Sequence, residues 1–169
     1  MPRGKCEIYN WTDTYDIKTT WGVSLSDGAI STLLAPPAAK ERVSNTSRLE
    51  NGKRIDNTTP MRYESRELTL EMHLIANDFP TLLANYRNFI DAITSSPEGI
   101  NLLFYNIYGL TSSNKLQFNL KYLSCTPFAV YGGTLAKFAI RFVEENPNFG
   151  LPPVSRSTGD ENNNEEETE

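Results

Sequence analysis

The sequence predicts an α+β fold: an antiparallel β-sandwich or split barrel with one flanking amphipathic helix. Three observations predict it. Residues 68–74 alternate, with Leu68, Leu70, Met72 and Leu74 on one face and Glu67, Thr69, Glu71 and His73 on the other. Period two over that length marks a strand with one buried face. The period then turns helical, with Phe79, Leu82, Leu83, Tyr86, Phe89, Ile90 and Ile93 at i, i+3, i+4 and i+7 spacing. Finally, most of the remaining ordered stretches alternate or run apolar, and no βαβ rhythm or internal repeat appears.

Taken in order, Lys5 to Asn10 reads as a short edge-like strand. Tyr15 to Leu25 reads as a second strand, bulged or kinked at Gly22. Ser26-Asp27-Gly28 is a turn. Ala29 to Leu34 fits either a helical turn or a strand end, and Pro36-Pro37 stops it. Residues 40–59 are polar and centre on Asn51-Gly52, a strong two-residue hairpin signal because both turn positions need φ > 0. The hairpin flanks have almost no apolar face, so the hairpin is expected to project and to need outside support. After the central strand, Asp78 suits an N-cap, and Pro80 falls in the first turn, where its missing N–H costs little. Residues 95–99 form a loop. Ile100 to Tyr105 is an apolar run that reads as a strand buried on both faces. Leu116, Phe118, Leu120 and Tyr122 alternate with polar residues, and Ala136, Phe138, Ile140 and Phe142 do the same. The expected count is one helix and seven or eight strands.

The chain has 169 residues and a formal charge of −5. The charge is local. Residues 156–169 hold Arg156 against six acids, a net of −5, which leaves 15 basic and 15 acidic residues elsewhere. A neutral body has no global attraction for nucleic acid or anionic membrane. Residues 1–149 are therefore expected to form one domain, and 150–169 a disordered acidic tail. No apolar run approaches the roughly 20 residues of a membrane-spanning helix. Cys6 and Cys125 are too few for a disulfide framework and read as small buried side chains.

The residues of chemistry are sparse. His73 is the single histidine, without a second histidine or clustered cysteines to complete a metal or catalytic set. No catalytic, cofactor-binding or metal-ligating residues are expected, and the chain reads as a non-enzyme. Glu67 and Glu71, on one strand face, would sit about 13 Å apart, too far for a glycosidase pair. Trp11, Trp21, Tyr105, Tyr108 and Tyr131 offer an alternative reading, a carbohydrate-binding or adhesion module stacking sugars on aromatic rings. Lys40, Arg42, Arg48, Lys53 and Arg54 alternate with Glu41, Glu50 and Asp56. This mixed-sign pattern suits contact with another protein better than a phosphate track.

Several stretches in fixed order carry a family resemblance. They are YDIKTTWGVSLSDGAISTLL (15–34), the hairpin SRLENGKRI (47–55), and RELTLEMHLIA (66–76) running into DFPTLLANYRNFIDAI (78–93). KLQFNLKYLSC (115–125) and TLAKFAIRFVEENP (134–147) follow. The order resembles the tail-tube-like domain of tailed bacteriophages, in particular the N-terminal domain of siphophage distal tail proteins, over residues 5–148. Where distal tail proteins often have a second, C-terminal domain, an acidic tail is expected here, which would suit a smaller relative such as a tail tube or tail-terminal component. The resemblance implies a virion protein, made in the bacterial cytoplasm, that forms homo-hexameric rings and contacts other tail proteins. It implies that Glu67, Thr69, Glu71 and His73 face a channel. It further implies that the helix lies outside and that Arg48, Glu50, Asn51, Gly52, Lys53 and Arg54 reach a neighbouring subunit. DNA would be a partner only in non-specific passage.

Overall fold

The computed structural model describes residues 5–42, 44–45, 54–55, 60–105, 110–111 and 113–148. Period-two alternation becomes an eight-stranded antiparallel sheet. Its strands are β1 (Lys5–Tyr9), β2 (Thr14–Asp16), β3 (Val23–Leu25), β6 (Arg66–Ile75), β7 (Ile100–Tyr105), β8 (Leu116–Cys125), β9 (Ala129–Tyr131) and β10 (Leu135–Glu144). The order is β2-β1-β7-β8-β10-β6-β3, with β9 pairing β10. A separate two-stranded ladder joins β4 (Ser44–Asn45) to β5 (Arg54–Ile55). Strand β8 joins the two halves of the large sheet. Its first residues pair with β7, and Lys121–Cys125 pair with β10 across a register shift at Arg141/Phe142. The fold is a mostly antiparallel α+β fold.

The longest ladder is β6 with β10, in register from Leu135 opposite Ile75 to Glu144 opposite Arg66. Leu68, Leu70, Met72 and Leu74 are buried on one face, beside Ala136, Phe138, Ile140 and Phe142. Helix α3 (Phe79–Thr94) packs onto this face. Phe138 meets Tyr86 and Phe89 at ring centroid distances of 5.2 and 6.1 Å. The Asp78 carboxylate caps α3 by accepting the Thr81 N–H at 2.8 Å, which holds its carboxyl below the usual range. Leu82, Phe89 and Ile93 form the buried stripe. Phe79 is exposed and Leu83 only half-buried, so the stripe is narrower than the apolar spacing predicts.

Two more helices correct the one-helix expectation. Residues 15–25 are β2, then α1 (Ile17–Trp21), then β3, rather than one kinked strand. The β-branched Ile17, Thr19, Thr20 and Val23 favour a strand, but local hydrogen bonds decide otherwise. The Asp16 carboxylate accepts the N–H groups of Lys18 and Thr19 at 3.0 and 3.1 Å. Gly22, left-handed at φ 71°, donates to the carbonyls of Ile17 and Lys18 and closes the turn. A Cβ on Gly22 would lie 2.2 Å from the Ile75 carbonyl oxygen, so the site requires glycine. Helical spacing buries Ile17 together with Trp21, whose ring meets Phe89 at 5.6 Å. Helix α2 (Ala29–Leu34) resolves the open reading of that stretch, with Ala29 and Leu33 buried. Strand β1 lies between β2 and β7, so the edge strand is β2. Strand β7 is buried along both faces, as its apolar run predicts.

This packing sets the order of mutational costs. Leu82→Ala and Phe89→Ala are expected to cost about 2–5 kcal/mol each by leaving a cavity between α3 and the sheet. Arg87→Ala, on the exposed face, is expected to be near neutral. Urea denaturation checks the ranking, and equal losses at Phe89 and Arg87 would contradict the assigned helix face.

Candidate functional site

The second face of the β6–β10 ladder carries the polar residues of β6, and among the described residues no helix covers it. Glu67, Thr69 and Glu71 are exposed and His73 is half-buried. Because cross-strand partners share a face, Val143, Arg141, Ala139 and Lys137 stand opposite these four in turn. Arg141 and Glu67 form an exposed ion pair. His73 lies between Lys137 on β10 and Ser24 on β3. The Lys137 ammonium sits 5.7 Å over the Tyr131 ring. At the same end Ile75 pairs with Leu135, which pairs with Tyr131. Ile75 is 61% exposed and Tyr131 53%. The face is thus of mixed charge, with an apolar row at one end.

The second candidate element is the excursion between α2 and β6. Its base is pinned by an antiparallel bridge between Ala39 and Tyr63. The Lys40 N–H donates to the Arg62 carbonyl and the Glu64 N–H to the Ala38 carbonyl, both at 2.8 Å. Farther out, β4 and β5 pair with Asn45 opposite Arg54, apart from the main sheet. Unbroken pairing from a two-residue turn on Asn51-Gly52 would instead set Arg54 opposite Leu49. The connection enclosed at this level is therefore residues 46–53. Arg48, Glu50, Asn51, Gly52 and Lys53 lie outside the described residues, as does the acidic 150–169 stretch.

The described aromatic residues do not form one platform. Trp21 is buried in the core. Trp11 is 49% exposed beyond β1, and its indole N–H donates to the Gly99 carbonyl at 3.1 Å. Tyr105 at the end of β7 donates to Glu7, and burial followed by that bond pushes its hydroxyl up to about 12. Tyr131 is on β9, and Tyr108 lies outside the described residues. Cys6 and Cys125 are free and half-buried. Burial, then the nearby Asp16 and Glu7, push the Cys6 thiol up and away from the reactive thiolate. Among the described residues no three of His, Cys, Asp and Glu converge as a metal site, and no helix is long and apolar enough to cross a membrane. No family model and no curated protein matches the chain.

The sequence pattern did not single out the contact that fixes the ladder end next to the excursion. Glu144 falls on the inward face and is 1% exposed, with Arg66 opposite it. Arg66 Nε donates to Glu144 Oε2 at 2.6 Å. Its other nitrogens donate to the carbonyls of Leu33, at 2.6 Å, and of Ala35. One guanidinium thus ties β6 and β10 to the C-terminal carbonyls of α2, where a cation is favoured. Removing either charge leaves the other buried without its partner. Glu144→Gln or Arg66→Met is expected to cost about 3–5 kcal/mol, and the double variant Arg66→Met/Glu144→Met to recover part of it. Chemical denaturation of the three variants measures the coupling, and additive losses would contradict a paired role.

Proposed function

We propose that the chain is a structural virion protein of a tailed bacteriophage. It would be a subunit of a hexameric ring, in the tail tube or at the distal tail, that lines a channel for DNA. One observation carries this reading: the β6–β10 ladder has one buried apolar face, on which α3 packs, and one face where Glu67, Thr69 and Glu71 are exposed. In a ring, α3 then lies outside, and Glu67, Thr69, Glu71 and His73 lie toward the axis. A face where Arg141 pairs with Glu67 and Lys137 lies opposite His73 presents no uniform positive track to grip phosphates. That suits passage rather than binding. The split-barrel, tail-tube-like arrangement belongs to the same reading, supported by β8 joining the two halves of the sheet.

The excursion supplies the contact between subunits. Its base is pinned at Ala39 and Tyr63, and its β4–β5 ladder stands apart from the main sheet. A two-stranded hairpin alone is marginal in water. Its charges, Arg48, Glu50, Lys53 and Arg54, favour docking in one register on a neighbour. Replacing Arg48, Lys53 and Arg54 together with Ser is expected to leave the monomer's circular dichroism and melting unchanged. Ring formation is expected to weaken, the more so as salt rises and screens the surviving contacts. Electron micrographs of concentrated protein check this. Intact rings from the triple variant would remove the hairpin from assembly.

A further inference from the structure

The two ends of the sheet order come together without pairing. The order runs from β2 to β3, and the five residues of α1 join those two strands directly. Among the described residues no ladder links β3 to β1 or β2. Between them lies a cleft of about 630 Å³, within the range of roughly 300–1,000 Å³ usual for small-molecule sites. Cys6 and its cross-strand partner Phe104 line it from one end of the sheet order, and Leu25 and Ile30 from the other. Phe104 is buried and the other three are half-buried, so together they make an apolar floor.

The rest of the lining is polar and balanced in charge. Lys5 and Lys18 are set against Asp16 and Asp27, and Ser24 and Ser26 add hydroxyls. Asp16 is engaged, since its carboxylate accepts the N–H groups of Lys18 and Thr19. The Lys18 ammonium, the Asp27 carboxylate and the Ser24 and Ser26 hydroxyls hold no hydrogen bond or ion pair among the described residues. The two serines are half-buried, where hydroxyls ordinarily find partners. A ligand anion would face both carboxylates and a ligand cation both ammoniums, and like-charge contact disfavours each. Lysines only donate, carboxylates only accept, and serines do both. Neutral ligand hydroxyls also do both, so they can satisfy every one of these groups, while the C–H face of a sugar ring covers the apolar floor. We propose that this cleft is a binding site for a neutral saccharide. The site is formed within one chain and does not depend on the assembly reading.

Amide chemical-shift mapping tests it, on the dilute, isotope-labelled full chain titrated with glucose, galactose and N-acetylglucosamine. At least one of these sugars is expected to shift the amides of Thr19, Leu25 and Ser26 saturably, and to leave those of Leu70 and Ile140 in the ladder unmoved. Glucuronate and protonated glucosamine, which add a charge to the same ring, are expected to bind more weakly. The Lys18→Ala/Asp27→Ala variant changes two exposed side chains and is expected to weaken sugar binding about tenfold, with the Leu70 and Ile140 amides again unmoved. Ser24→Ala/Ser26→Ala is expected to do likewise. No saturable shift with any of the three sugars would overturn the proposal. So would glucuronate or glucosamine binding as tightly as the neutral sugars, or sugar binding unchanged in both double variants.

Discussion

The ladder between Arg66–Ile75 and Leu135–Glu144 is the constraint on which the other features depend. Its period is two, so a slip of one residue would send Leu68, Leu70, Met72 and Leu74 to solvent and bury Glu67 and Glu71. The opposed chemistry of the faces thus fixes the register, and the inward Arg66–Glu144 pair fixes one end of it. From that register follow the seat of α3 on Phe138, the position of α2 at the Arg66 guanidinium, and the free polar face. The same register leaves β3 as the outermost strand of the sheet order.

The elements legible in the sequence are those in which one long periodicity had no competitor. Strands β6, β8 and β10 alternate over residues 68–74, 116–122 and 136–142, and α3 combines a helical stripe with Asp78 and Pro80 at its start. Where elements are short, capping chemistry overrode propensity. Residues 17–21 contain strand-favouring Thr19 and Thr20, yet Asp16 and Gly22 close a helix of five residues. The buried stripe of α3 is narrower than the apolar spacing suggests, with Phe79 in the first turn exposed and Leu83 half-buried. The strand pairing of the excursion was not legible either: a two-residue turn on Asn51-Gly52 would pair Arg54 with Leu49, whereas Arg54 pairs with Asn45.

Of the candidate site, the polar residues of β6 were legible and their partners were not. Alternation assigns Glu67, Thr69, Glu71 and His73 to one face. Only the β10 register adds Arg141 and Lys137 and makes that face mixed in sign. A usable signal for the buried pair was present: continuing the inward series 136, 138, 140, 142 arrives at Glu144. A carboxylate on an inward strand position needs a cation beside it. The excursion is held at its base by Ala39 and Tyr63, and its β4–β5 ladder stands apart from the main sheet.

The central claim is that the polar β6–β10 face turns inward in an assembly while α3 turns outward. Cysteine accessibility tests it most directly, in a background with Cys6 and Cys125 replaced by Ser. Glu71→Cys and Arg87→Cys, each treated with a bulky maleimide, report the two sides. Both are expected to react readily in dilute protein, and in assembled protein Arg87→Cys is expected to stay reactive while Glu71→Cys becomes protected. Equal reactivity at both positions in assembled protein, or protection at Arg87→Cys alone, would contradict the account.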